Sequence, residues 1–310
     1  GQLSVNREIL KANALSKRGR LDEARSLYEE VLSRFPKNKR ALKGLVSAEQ
    51  NKPLSKEPSS EAINDLVNLY NRGEFSKAIE MAKAMEAKHP GVLLFWNVMG
   101  ASYRGLGQSR EAISCFEKLI QIDPNYSEGY SNLGIVLFET GNVSLALKAY
   151  KSALELDPAN AEALNNLGIT LKSSDRLDEA ITSFNDAISI RPNYAEAYNN
   201  LGTVLHEQGK LEAAIKAYEK AISLKSDYAD GFNNLGGVYI EQHKMHDALE
   251  IFEKALLANP TLPSTYNNIG SVYKNQGKLA DALAFLNKAL ILQPAYTEAL
   301  ANRGSVYHMM

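Results

Sequence analysis

The chain holds one cysteine, Cys115, in 310 residues, so no intrachain disulfide can form. That poverty suits a reducing compartment, and a cytoplasmic location is expected. An excess of charge is also missing. The formal net charge of −1 gives no reason to expect a nucleic-acid partner or an anionic membrane. No apolar run approaches the roughly 18 residues of a membrane span, and no signal-peptide pattern opens the chain. It starts with Gly1 rather than Met, as a processed or engineered fragment would. Histidine is scarce: His243 and His246 lie three apart with only Asp247 beside them, which is too few ligands for a metal. No glycine-rich phosphate loop and no nucleophile–base grouping is present. Catalytic residues, metal ligands and cofactors are therefore all expected to be absent, and this chain by itself is not expected to be an enzyme.

What is present is a period. Seven glycines recur every 34 residues, from Gly100 through Gly134, Gly168, Gly202, Gly236 and Gly270 to Gly304. A fixed period of that length means one supersecondary unit copied in series. A solenoid grows by addition, which is why 310 residues need not divide into several globular cores. We number each unit so that this glycine is position 8. In the unit 195–228, apolar residues fall at positions 4, 7 and 11, then at 17, 21, 24 and 28. This is the three-and-four spacing of two amphipathic helices. The loop between them is too short for anything but antiparallel neighbours.

The recurring residues have mechanical roles. Gly at position 8 and Ala at position 20, such as Ala146 and Ala214, let the two helices approach. Bulky residues fill between them at position 4 (Tyr130, Tyr198) and position 24 (Tyr150, Tyr218). Position 15 is Gly73, Gly107, Gly141, Gly209 and Gly277, as a left-handed helix end requires, with Asp175 and His243 substituting twice. Position 32 is mostly proline, as in Pro158 and Pro192, which stops the second helix; Ser226 replaces it once.

Tyr198, Leu201, Gly202, Leu205, Ala214 and Tyr218 match the signature of the tetratricopeptide repeat (TPR) family, and the match recurs from residue 59 to 310. The resemblance implies an all-α, right-handed superhelix of antiparallel helix pairs. First helices line its concave groove and second helices form its back.

The ends depart from the pattern. Residues 1–50 read as an N-terminal TPR-like unit, marked by Gly19, Ala24, Tyr28 and Pro36, plus an extra helix. Residues 51–58 read as a linker, and 59–310 as an array of seven full repeats plus a first helix, 297–310. In the repeat 59–92, Leu66 stands in the glycine position. No capping helix follows 297–310, so the natural protein is expected to continue. The apolar surface left open there is expected to favour self-association. Charge is uneven: residues 1–58 hold 13 Lys/Arg against 7 Asp/Glu, which is read as solvated helix faces.

One pattern lies outside the expected core. Position 6 is Asn132, Asn166, Asn200, Asn234, Asn268 and Asn302; position 5 is Asn165, Asn199, Asn233 and Asn267, and also Asn97. Asparagine is a modest helix former, so helix stability does not ask for it. Its amide offers donors and an acceptor together, as an extended peptide backbone requires. In the TPR family position 6 faces the groove, and such a ladder resembles that of O-GlcNAc-transferase superhelices. The alternative is a consensus polar residue solvated in an empty groove. Position 2 carries Glu128, Glu162, Glu196, Asp230 and Glu298, unlike the lysine of chaperone-type TPR clamps. These acids either favour the helix N-terminus or select basic residues.

The expected function is a scaffold that binds a protein or an extended peptide in the groove, without nucleic acid or membrane. The competing expectation is a substrate-recruiting arm of a larger enzyme, of glycosyltransferase or sulfotransferase type, with its catalytic domain beyond residue 310.

Overall fold

A computed structural model of the chain describes residues 2–17, 20–36, 38–50 and 58–310. Gly19 and all of the expected linker except Pro58 lie outside the described residues. Among the described residues there are eighteen helices and no strand. The chain divides into two compact units, Gly1–Phe95 and Trp96–Met310.

The first unit contains α1 (Gln2–Lys17), α2 (Leu21–Arg34) and α3 (Lys39–Gln50), followed by α4 (Ser60–Asn71) and α5 (Phe75–Lys88). Val5, Ile9, Ala12, Ala24, Tyr28, Val31 and Ala41 form a buried cluster that joins α1, α2 and α3. The Tyr28 hydroxyl donates to Asn13 Oδ1 at 2.6 Å. α4 begins where Ser59 Oγ accepts from the Ala62 amide at 3.2 Å, a side-chain N-cap. In the α4–α5 pair Leu66 occupies the glycine position and Ala82 the ring position, and both are fully buried. Large and small have exchanged places, so the pair keeps its volume without the glycine.

The second unit is a run of helix pairs. It takes most of α6 (Leu93–Gly105) and then α7 (Ser109–Ile122). Four regular pairs follow: α8 (Ser127–Glu139) with α9 (Val143–Leu156), α10 (Ala161–Lys172) with α11 (Leu177–Ile190), α12 (Ala195–Glu207) with α13 (Leu211–Leu224), and α14 (Ala229–Glu241) with α15 (Met245–Ala258). A last pair, α16 (Pro263–Asn275) and α17 (Leu279–Leu292), precedes the single helix α18 (Thr297–Met309). Each second helix packs on the next first helix. From α8 to α18 the first helices also touch one another across the repeats, whereas the second helices do not. The row of first helices is therefore the tighter, inner side of this α-solenoid.

The glycine period has a direct steric cause. A Cβ placed on Gly202 would lie 2.7 Å from the ring of Tyr218, and one on Gly168 would lie 2.6 Å from that of Phe184. The position-24 rings, Phe116, Tyr150, Phe184, Tyr218 and Phe252, are at most 1% exposed. Gly304 on α18 has no such neighbour, because no second helix faces it.

Helix ends follow the same logic. Gly209 at φ 72 closes α12: its amide bonds the His206 carbonyl, and the Lys210 amide bonds that of Leu205. This is the paired left-handed ending that needs no Cβ. Asp175 and His243 take φ 58 and 59 at the equivalent positions. The residue before the stopping proline, such as Asp123, is extended, as the proline ring demands. Lys225 takes the same conformation before Ser226, so the stop survives without the ring.

Candidate functional site

On each first helix, positions 2, 5, 6, 9, 12 and 13 share one face by their three-and-four spacing. The inter-repeat bonds described below identify this as the face that looks along the row of first helices. It carries both asparagine columns.

The two columns bond to each other. Asn132 donates from Nδ2 to Oδ1 of Asn97 at 2.8 Å. Asn200 donates to Asn165 at 2.9 Å, Asn234 to Asn199 at 3.0 Å, Asn268 to Asn233 at 3.1 Å and Asn302 to Asn267 at 2.9 Å. Every bond runs from position 6 of one repeat to position 5 of the repeat before, a separation of 35. Three of the position-5 partners are inner residues: Asn165, Asn199 and Asn267 are 5–7% exposed, whereas Asn97 and Asn233 are half-buried. The position-6 residues, Asn166 included, are half-buried. A primary amide has two N–H donors and two acceptor sites, so each position-6 side chain keeps capacity after giving one hydrogen. Four members have further partners: Thr265 Oγ1 donates to Asn233 Oδ1 at 3.0 Å, Lys274 Nζ to Asn302 Oδ1 at 2.7 Å, and Asn267 Nδ2 to Asn268 Oδ1 at 3.4 Å.

A second set of links lies two turns further along. Position 12 of one repeat pairs with position 13 of the next. Arg104 meets Glu139 at 2.6 Å, Lys172 meets Glu207 at 2.8 Å and His206 meets Glu241 at 2.8 Å. Exposed pairs of this kind contribute little stability, typically below about 1 kcal/mol. They do fix how charge is presented: Arg104 and Lys172 are neutralised by their carboxylates, the His206–Glu241 contact is a hydrogen bond, and Lys274 meets only the neutral amide of Asn302.

Position 2 is also partly engaged. Glu162 pairs with Arg191 at 3.2 Å and Glu196 with Lys225 at 3.4 Å, each within its own repeat. Those cations lie over the rings of Tyr194 and Tyr228, 4.6 and 4.9 Å from the centroids. Burial, and then the Glu196 carboxylate, push the Tyr228 hydroxyl up to about 12. These phenols stay neutral and support the cations above them. Among the described residues no group of three or more His, Cys, Asp or Glu could hold a metal ion. No described helix is long and apolar enough to cross a membrane.

By sequence the two asparagine columns read as one lining. The structure separates a bracing column that accepts from the next repeat, buried at Asn165, Asn199 and Asn267 and half-buried at Asn97 and Asn233, from a half-buried donating one that carries the remaining donors and acceptors. The link of one period plus one residue goes unseen when each unit is read by itself. Its signal is there, since Asn recurs at adjacent positions and opposite charges recur at positions 12 and 13. Position 4, expected to be interior, is mostly half-buried, with Leu300 on α18 42% exposed.

Comparison with known proteins agrees with this architecture. Models described as tetratricopeptide repeat match residues 8–48, 160–227 and 227–294, and one described as TPR repeat matches 100–141 and 136–175. The chain belongs to the tetratricopeptide repeat family. A peroxisomal targeting signal receptor from Candida albicans is 30% identical over 109 residues, 35% of this chain and 18% of the receptor. Protein FlbA from Caulobacter vibrioides is 28% identical over 72 residues, 23% of this chain and 12% of FlbA. The matched segments thus span less than a fifth of either relative. Among solved structures, the APC/C hetero-tetramer Cut9-Hcn1 is similar with a TM-score of 0.67 at 18% identity, covering 96% of this chain and 55% of that one. A tetratricopeptide repeat protein from Parabacteroides merdae gives a TM-score of 0.65 at 17% identity, covering 80% of this chain and 98% of that one. These identities speak to the fold alone.

Proposed function

We propose that the chain is a binding scaffold that holds an extended segment of a partner protein along the row of first helices. The single observation carrying this is the state of the position-6 asparagines. All but Asn166 are fixed by one bond to the preceding repeat, and each still has a donor and an acceptor to offer. A side chain pinned in this way has little rotamer entropy left to lose on binding. Spare amides repeated at every turn of the solenoid complement a peptide backbone, which repeats its own N–H and C=O. Recognition of this kind depends on the ligand's main chain more than on its side chains.

The test is affinity for peptides selected from a random display library panned on the 310-residue chain. Alanine at Asn200, Asn234 and Asn268 should weaken those peptides about tenfold or more, if each lost contact is worth one net hydrogen bond. Equal affinity for the parent and the triple variant would refute the reading.

A further inference from the structure

One step of the solenoid lacks both of its groove-side links. Five of the six steps between α6 and α18 carry an asparagine–asparagine bond. The exception is the step from α8 to α10, where position 5 is Ser131, too short to meet Asn166. At that same step position 12 is Phe138 and the facing position 13 is Ser173, so no ion pair can form. The apolar residues of this face concentrate at the same place. Position 9 is Ile135 on α8 and Ile169 on α10, whereas the next three repeats have Thr203, Gly237 and Ser271. Ile135, Phe138 and Ile169 are half-buried, with their inner sides against the cluster of Leu137, Tyr150, Leu167 and Phe184.

We infer that this step is the specificity pocket of the groove. It takes one bulky, uncharged apolar side chain of an extended peptide onto Ile135, Phe138 and Ile169. Asn166, whose amide is not shared with a neighbouring repeat, bonds the peptide backbone at that residue. The inference rests on the peptide-groove reading above and adds the class of ligand. Charge selects the occupant. The charges on either side are compensated: Glu139 by Arg104, Lys172 by Glu207 and Glu162 by Arg191. Glu128 stands ten residues before Phe138 on α8, about 15 Å away along the helix. A charged side chain would enter beside apolar surface and find no free partner, and it would keep the cost of its desolvation. An apolar side chain has no such desolvation cost and removes exposed apolar surface from three neighbours.

Two variants separate the possibilities. Phe138→Ser removes the largest wall of the pocket. Ser131→Asn restores the missing rung: the sister residues Asn165 and Asn199 fit the same buried site, and the new amide would occupy Asn166 without altering apolar volume. Peptides from the panning should share a Leu, Ile, Met or Phe at one fixed place. Phe138→Ser should weaken them about tenfold or more. Ser131→Asn should weaken them about threefold to tenfold, with thermal melting unchanged or raised. Fluorescence anisotropy gives the affinities, and circular dichroism checks the fold. Peptides that lose affinity in the Asn200/Asn234/Asn268 alanine variant but bind Ser131→Asn and folded Phe138→Ser as tightly as the parent would overturn the pocket and leave the groove standing. Peptides indifferent to the triple alanine variant, or a library that yields no binder, would overturn both.

Discussion

Gly202 gives the sharpest test of how this array is built. It sits on α12 facing Tyr218 on α13, a ring 1% exposed whose hydroxyl reaches Thr203 Oγ1 at 3.3 Å. An added Cβ would stand 2.7, 2.8 and 3.1 Å from three ring carbons. Ordinary contact needs roughly 3.5–4.0 Å, so the ring must retreat by close to 1 Å into a packed interior. Overpacking of this kind costs about 1–3 kcal/mol, and Gly202→Leu should reach or exceed the upper end. For Gly202→Ala the helix-propensity gain of up to about 1 kcal/mol works against it, leaving a net loss of about 0–2 kcal/mol. Gly237 is the matched control, being helical with no atom within 4 Å of a Cβ. Gly237→Ala should therefore stabilise, by about 0.5–1 kcal/mol. The decisive variant is the exchange of volumes that α4 and α5 already display with Leu66 and Ala82. Tyr218→Ala alone should cost about 3–5 kcal/mol. Joined with Gly202→Leu it should cost much less than the sum, a favourable coupling of about 2 kcal/mol or more. Urea unfolding followed by circular dichroism reads these differences as shifts in midpoint. Additive single effects, or a Gly202→Ala variant as stable as Gly237→Ala, would show that the glycine is not there for the ring.

Deletion of residues 195–228 should leave a folded, shorter solenoid, because it brings Asn234 to Asn165 and Glu241 to Lys172 at the same one-period-plus-one spacing; a collapsed helical signal in circular dichroism would contradict this, and deletion of about half a period should be far worse. Alanine at Asn200, Asn234 and Asn268 should also lower thermal stability, by about 0.5–1.5 kcal/mol per site, since each donates between repeats; an unchanged melting temperature would show these bonds to be idle. Tyr218 and Tyr228 are raised from 10.0 to about 12, first by burial, so the fold favours their neutral form. That stability is complete below pH 10 and is lost as pH rises from 10 through about 12, so the ring resonances of these two tyrosines, followed by NMR, should report ionisation together with loss of helical signal there; ionisation of either ring at pH 10 without unfolding would refute it. Leu300, Tyr307 and Met309 on α18 are 42–58% exposed and should drive association as concentration rises. Light scattering that reports a monomer throughout, unaffected by Leu300→Glu, would count against that surface.

How much was legible in the sequence differs between the fold and the site. The glycine at position 8, the small residue at position 20 and the cap at position 15 are local demands of one helix pair, so repetition alone fixed pair, period and family. Gly202, Gly209 and Ala214 can be read for their roles without coordinates, because a missing Cβ or a positive φ admits few other residues. The asparagines could be noticed in the same way but not assigned. Whether Asn200 meets a ligand or a neighbour depends on how far one repeat is rotated and shifted against the next, and no residue in the period states that geometry. Only the tertiary structure brought Asn200 to Asn165 and Lys172 to Glu207, and so divided a uniform column into a brace and a reserve. The same register turned Ser131, Phe138 and Ser173, three unremarked departures from the consensus, into a single place. Each is ordinary by itself, and they coincide because position 5 faces the next position 6 while position 12 faces the next position 13. Contacts separated by 35 residues are set by packing between repeats, and packing is decided by all the buried rings at once.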